Sequence, residues 1–304
     1  MNFLLLFLLI MAIATACSST AIKPDKMPAS KTPSIPCRVV QHAMGEACVP
    51  TTPKRVVTIS YPILAHALTL GVKPIASTSL EVMELRSTHL DPQNYLALNK
   101  RVEGIRNIGD YRTINLEKIL QLKPDLIIDG IKVTNPFLAQ IAPTVSIAST
   151  YADLYANWKE AFNSTAKILG REAEAQEALD HYAQRVKQLK LVLGSRYQNQ
   201  TISIVAGFGQ NMSVYLKNSF AGSILDDLGL KRPPVQNVSR GYGRIDSISE
   251  EKLNLIDGDI LFFLGGNNPS GDVFRWLQKR PLWQTLTAVQ NKKVYLVNSL
   301  TWNG

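Results

Sequence analysis

Two arginines and three aromatic residues are the side chains of this sequence with a binding chemistry to offer. They are Arg86 in Leu80-Glu-Val-Met-Glu-Leu-Arg86, Tyr242 and Arg244 in the glycine-punctuated segment Arg240-Gly-Tyr-Gly-Arg244, Tyr61, and Trp302. Guanidinium forks match carboxylate or hydroxamate oxygens, and aromatic walls pack against the organic shell of a chelate. All five fall in segments read as loops following strands, where α/β sheets place their ligands. Singly, each also reads as an ordinary surface residue. Catalytic chemistry has no comparable set: the sequence holds no Gly-x-Ser-x-Gly, no phosphate loop and no Gly-x-Gly-x-x-Gly. Its histidines, His42, His66, His89 and His181, are scattered without metal-ligand spacing. A non-enzymatic binder with no cofactor or bare metal site is expected, with a periplasmic enzyme as the rival from another class.

The elements that must position those side chains are announced by an internal repeat. Ile114-Asn-Leu-Glu-Lys-Ile-Leu-Gln-Leu-Lys-Pro-Asp-Leu-Ile-Ile128 and Ile248-Ser-Glu-Glu-Lys-Leu-Asn-Leu-Ile-Asp-Gly-Asp-Ile-Leu-Phe262 each read as a capped helix feeding a buried strand. Asn115 and Ser249 are N-cap types, Glu117, Glu250 and Glu251 suit a first helical turn, and Pro124 or Gly258 stops the helix. A second echo stands upstream of each copy. Leu70-Gly71-Val72-Lys73 and Leu228-Gly229-Leu230-Lys231 read as helices ending on a glycine, preceded by strand-like Arg55–Ser60 and Thr201–Val205. Between the copies, Leu154 to Leu193 is rich in helix formers, broken near Gly170, and reads as a stiff connector. Two similar α/β lobes with a ligand cleft between them are therefore expected.

Residues 3 to 14 are continuously apolar, too few to span a bilayer, and run into Ala14-Thr15-Ala16-Cys17, which reads as an export signal. The segment resembles a bacterial lipoprotein signal with Cys17 as the lipidated residue; Ala14-Thr-Ala16 also suits an ordinary signal peptidase, which would leave a soluble chain. Residues 18–36, rich in Ser, Lys and Pro, read as a flexible tether. Cys37 and Cys48 flank a short strand-turn-strand pattern and can form a disulfide in an oxidising compartment, the alternative being two free thiols. The formal charge of +9 is spread along the chain, with no basic block interleaved with aromatics of the kind a nucleic-acid groove needs. Such a balance favours anionic ligands or an anionic membrane surface.

From Cys37 to the C-terminus the sequence resembles the ferric-siderophore receptors of bacterial ABC importers, relatives of the ferric hydroxamate and cobalamin binding proteins. The phrases that carry the resemblance are Pro53-Lys-Arg-Val-Val-Thr58, Leu70-Gly-Val-Lys-Pro74, Asn115-Leu-Glu-Lys-Ile119 with Lys123-Pro-Asp-Leu-Ile-Ile128, Ile141-Ala-Pro-Thr144, Ser219-Phe-Ala-Gly-Ser-Ile-Leu-Asp226 and Pro281-Leu-Trp283. The resemblance implies two Rossmann-like α/β lobes joined by a long rigid helix, with the ligand in the cleft. It implies a monomer that captures a ferric siderophore as transported cargo and delivers it to an ABC importer permease dimer, at the periplasm or the outer face of the cytoplasmic membrane. A haem or cobalamin receptor on the same fold is the alternative. Arg86, Tyr242 and Trp302 match ligand-binding positions of the family. Glu117 and Asp226 match an acid on each lobe that faces the permease; otherwise Glu117 serves its own helix N-terminus and Asp226 is a solvated charge. The expected division is a signal over 1–17, the tether over 18–36, a first lobe over 37–150, a connecting helix over 151–195 and a second lobe over 196–304. That second lobe ends without the covering helix usual after its last strand.

Overall fold

A computed structural model describes residues 36–78, 100–131, 136–208, 211–265, 269–297 and 302, all within one compact unit that begins at Pro36. Cys17 and Arg86 lie outside the described residues. The chain opens with an antiparallel hairpin, β1 (Cys37–His42) and β2 (Gly45–Pro50), stapled by the expected Cys37–Cys48 disulfide at a Cα separation of 5.5 Å. Val40 and Val49 turn inward, and Arg38 donates to the Ile168 carbonyl, so the hairpin is pinned to the first lobe.

The first sheet follows from runs that are apolar on both faces, the mark of a central parallel strand. β3 (Val56–Ile59) is buried throughout and lies between β4 (Ala76–Ser77) and β8 (Leu126–Ile131). With β5 (Arg106–Asn107) beyond β4 and β9 (Thr144–Ala148) beyond β8, the order is β5-β4-β3-β8-β9, all parallel. The helix α1 (Tyr61–Thr69) follows β3, α2 (Leu116–Leu122) precedes β8, and α3 (Leu138–Ile141) precedes β9. The second sheet repeats the centre of this plan. β10 (Ile202–Phe208) pairs in parallel with β13 (Ile260–Leu264), which pairs in parallel with β14 (Val294–Val297). On its other flank it differs, because β11 (Asn211–Tyr215) and β12 (Arg244–Ile248) are added as two antiparallel steps.

The repeat carries more than helices and strands. Asp125 accepts from the backbone N–H groups of Lys54 and Arg55 at 2.8 and 2.9 Å, and Asp259 accepts from Thr201 N–H and its hydroxyl at 2.7 and 2.8 Å. In each lobe, then, the acid that opens the second strand ties down the start of the first. The two helical copies are unequal: α2 is an α-helix whose Asn115 cap accepts from Lys118 N–H at 2.9 Å, whereas Glu250–Ile256 is a 3-10 helix kinked at Lys252. The glycine endings match, with Gly71 and Gly229 both at φ 73°. The Val72 and Leu230 N–H groups reach back to the Ala67 and Leu225 carbonyls, the 6→1 bond of a Schellman turn.

The expected long helix is α6 (Glu172–Leu193), 22 residues that follow a left-handed Gly170. Before it stand α4 (Tyr151–Ala156) and α5 (Trp158–Leu169), separated at Asn157, so the connecting stretch is three helices. α5 buries Ala161, Phe162, Ala166, Ile168 and Leu169 in the core of the first lobe, against Ile63, Ala67 and Leu70 of the α1 region. In that interface His66 lies edge-on to Phe162 and its Nδ1 is 3.1 Å from the Thr165 hydroxyl. Burial lowers its pKa from 6.5 to about 4. The unfolded chain takes up the proton first as pH falls, so stability present above pH 6.5 is lost down to about pH 4, by up to about 3 kcal/mol. Urea unfolding of wild type and His66→Gln at pH 7 and pH 4 should show a smaller acid loss in the variant. Equal losses would place the acid sensitivity elsewhere.

Candidate functional site

Open α/β sheets bind ligands beyond the carboxyl ends of their parallel strands. In the first lobe, β3 ends at Ile59 and passes through Ser60, held at φ 98° and ψ 150°, into α1. A non-glycine residue in that region is strained, and strain of this kind gathers at functional sites. Gly130 is the reason the turn fits: a Cβ there would come within 2.4 Å of the Ser60 hydroxyl oxygen. Ser60 N–H donates to the Thr78 hydroxyl at 2.8 Å, and Thr58 donates to Ser77 at 2.9 Å, so the strand ends carry a polar network. Tyr61, as expected from the sequence, leaves directly from this turn; it packs against Leu64 and Ile105.

Beyond β5, the short strands β6 (Gly109–Asp110) and β7 (Thr113–Ile114) form a hairpin whose tip is Tyr111-Arg112. Asp110 accepts from the Arg112 N–H at 2.9 Å, an Asx turn that fixes the tip. The exposed Arg112 guanidinium lies over the Tyr111 ring at 5.1 Å and has no carboxylate partner among the described residues. Arg112 was not singled out from the sequence. Its signal was present in Gly109-Asp-Tyr-Arg112, a turn placed directly before the capped helix.

Arg244 and Tyr242 sit elsewhere, which corrects the placing of their segment where the parallel strands end and ligands bind. β12 pairs antiparallel with β11, and β11 antiparallel with β10, so β12 runs in the same direction as β10 and the loop before it lies at the amino end of the sheet. Arg244 opposes Tyr215, one step nearer the start of β10 than the Val205–Val214 pair. Four residues separate that level from Phe208, roughly 13 Å. Both side chains are also engaged. Asp246 accepts from Arg244 Nε, the Tyr242 hydroxyl and the Ser213 hydroxyl, each at 2.6 Å. Burial pushes the Asp246 pKa up, but these donors outweigh it and hold the carboxyl below its ordinary value. The group is a brace across the β11–β12 edge.

Trp302 is half-buried and packs on the sheet face, its ring 4.9 Å from Phe262 in a cluster with Ile204, Ile260 and Leu264. Asp226, in α7 (Phe220–Leu228), is exposed but also paired. It accepts at 2.8 Å from Nη1 of Arg232, whose side chain is only 2% exposed, and Arg232 also donates to Asn237 and to the Gly222 carbonyl. The helix then leads to Lys231, whose carbonyl accepts from Ile202 N–H at the amino end of β10. Glu117 and Glu251, by contrast, are exposed and stand at the same place in the two repeats, just past the carboxyl ends of β7 and β12. Among the described residues, no three His, Cys, Asp or Glu side chains are grouped to hold a metal ion.

Two α/β lobes with a strained turn, aromatic residues and a guanidinium without a carboxylate partner among the described residues, all at the carboxyl ends of the first lobe's strands, have the construction of a small-ligand binding protein. The chain belongs to the periplasmic binding protein family, which it matches over residues 82–300. It is 31% identical, over 99% of its own length and 91% of the relative's, to a Bacillus subtilis (strain 168) protein named as a probable siderophore-binding lipoprotein, YfiY. An achromobactin-binding periplasmic protein of Dickeya dadantii (strain 3937) is 29% identical, covering 83% of this chain and 80% of that one. Among solved structures, Staphylococcus aureus SirA complexed with staphyloferrin B superposes with a TM-score of 0.71 at 28% identity, covering 88% of this chain and 91% of that one.

Proposed function

We propose that this protein is an extracytoplasmic receptor that captures a ferric siderophore in the cleft between its lobes and delivers it to an ABC importer for iron uptake. The observation that carries the reading is the exposed Arg112 guanidinium, stacked on Tyr111 beyond the carboxyl end of the first sheet, in a chain whose relatives are named for siderophore, Fe(3+)-citrate and iron(3+)-hydroxamate binding. A cation with no carboxylate partner among the described residues suits the anionic oxygens of such a chelate. Tyr61 and Trp302 would supply apolar wall, with Arg86 as a second candidate cation. Quenching of the four tryptophans during titration with a panel of ferric siderophores, haem and cobalamin tests this. Saturable quenching by a ferric siderophore is expected; binding of haem or cobalamin alone would overturn the cargo.

The export signal ending at Cys17 supports a lipid anchor on the outer membrane face, from which a monomer would meet the permease dimer. For docking, the internal repeat favours Glu117 with Glu251, the acid at the equivalent place in the second copy, in place of Asp226. Docking charges tune association and fade with salt. Glu117→Lys with Glu251→Lys should leave siderophore affinity unchanged and lower stimulation of the permease ATPase in liposomes, most at low ionic strength. Wild-type stimulation by the double variant would remove these acids from the interface.

A further inference from the structure

We infer that the last turns of α6, with the amino end of the second sheet, form a surface that adsorbs to an anionic phospholipid bilayer and turns the ligand end of that sheet away from the membrane. α6 is rooted in the first lobe through Ala175, Ala178 and Leu179, and Tyr182 ties it to Asp227 of α7. Beyond Tyr182 the helix is largely bare. Leu189, Leu191 and Val192 are exposed, Leu191 at 75% and Val192 at 64%, and only Val186 and Leu193 are half-buried there. Single exposed apolar residues are ordinary. Three within four positions make a patch, and Arg185, Leu189 and Val192 stand in one row of the helix surface, at i, i+4 and i+7.

Charge completes the surface. No Asp or Glu stands between Asp180 and Asp226, an interval that holds Arg185, Lys187, Lys190 and Arg196. Arg185 and Lys187 are exposed and make no ion pair among the described residues. Arg196 donates to the Val192 carbonyl at 2.7 Å, which holds it against the last turn. The helix dipole favours a cation in that last turn, where Lys190 stands, but it does not reach Arg185 or Lys187 and gives no reason for bare leucines. Past the helix the chain enters the amino end of β10, where Thr201 bridges to exposed Lys231 and Gln200 accepts from Lys293 at 2.9 Å, next to exposed Lys292. The acids nearby are occupied: Asp257 accepts from Thr287, Asp259 from Thr201, and Asp227 pairs with Lys159. Exposed leucine and valine rimmed by cations are the chemistry of a helix that lies in the interface of an anionic bilayer. A second copy seated on this face would bring the same cations together. The first half of α6, with Glu172, Glu174, Glu177 and Asp180, would be repelled by such a bilayer, so contact falls at the carboxyl end of the helix.

This end of the sheet is opposite to the one where open α/β sheets bind ligands. Under the receptor reading, adsorption therefore presents the cleft to incoming cargo; the adsorption itself does not depend on that reading. The test needs no siderophore. The chain from Ser18, without the leader and Cys17, is sedimented with vesicles of phosphatidylglycerol and phosphatidylcholine, or of phosphatidylcholine alone. Wild type should bind the anionic vesicles only, and less as salt rises. Arg185→Gln with Lys187→Gln should lower partitioning by about tenfold to thirtyfold, and Leu191→Ser with Val192→Ser by about tenfold, with unfolding unchanged because all four side chains are exposed. Lys23→Gln, Lys26→Gln and Lys31→Gln together, in the tether, should keep most of the binding. An environment-sensitive dye at Ser195→Cys should shift to the blue on anionic vesicles, and one at Glu251→Cys, at the other end of the sheet, should not. Wild-type partitioning by the two α6 variants overturns the inference, as does a shift at Glu251→Cys. A dimer in sedimentation velocity that Leu191→Ser with Val192→Ser dissolves overturns it too, and gives the face to a second copy.

Discussion

Replacing Arg112 with alanine is expected to weaken ferric siderophore binding by about thirtyfold to a thousandfold, the loss for a charge-assisted contact of about 2 to 4 kcal/mol in a partly desolvated cleft. The side chain is exposed and its guanidinium touches only the Tyr111 ring among described partners, so the variant should keep the stability of wild type. Arg112→Lys should recover part of the affinity, since charge returns without the planar fork. Arg244→Ala gives the contrast. Its guanidinium is spent on Asp246, at the amino end of the second sheet, so the variant should bind normally and lose a little stability. Titration of all three variants with the same ferric siderophore decides the matter. Weak binding by Arg244→Ala with normal binding by Arg112→Ala would reverse the assignment of the cation.

Why the sequence pointed to Arg244 is a question of chain direction. The repeat made the parallel core of both lobes legible: β3 with β8, and β10 with β13, were visible as apolar runs after capped helices and glycine stops. Asn211-Met-Ser-Val-Tyr215 was not seen as a strand. Its signal was present, since Asn211 and Ser213 alternate with Met212 and Val214 at the period of a strand, but over five residues it is too short to stand out. Missing one strand reverses the end of the sheet to which every later loop is assigned, until the next strand restores it. The loop at 240–244 fell inside that interval. Arg112 escaped for a different reason, because β6 and β7 are two-residue strands, too short for periodicity to mark. The connecting stretch was legible as helix-forming composition, but the contacts it makes with α7, Trp158 to Ser223 and Lys159 to Asp227, join residues that are close only in space.

Asp226 shows the same limit, and its replacement carries a large structural penalty. The sequence offers Ser219-Phe-Ala-Gly-Ser-Ile-Leu-Asp226 as a capped helix with an acid near its end, which is indistinguishable from a solvated charge. The fold buries Arg232 beneath that helix, and the Asp226 carboxylate is its charged partner at 2.8 Å. Removing one member of a buried pair leaves the other uncompensated, at about 3 to 5 kcal/mol. The acid itself is 39% exposed, and the Asn237 oxygen and Gly222 carbonyl still accept from Arg232, so the low end of that range applies. Asp226→Lys should therefore lower unfolding free energy by about 3 kcal/mol or more, with the added ammonium repelling Arg232 and Lys217. Asp226→Asn keeps an acceptor for Arg232 and should lose less. Denaturant unfolding of both variants distinguishes the roles: a docking charge would leave stability at the wild-type value in each. The double change Asp226→Leu with Arg232→Met, which removes both charges together, should regain much of the loss, because the penalty belongs to the unpaired guanidinium and not to the absence of the bond.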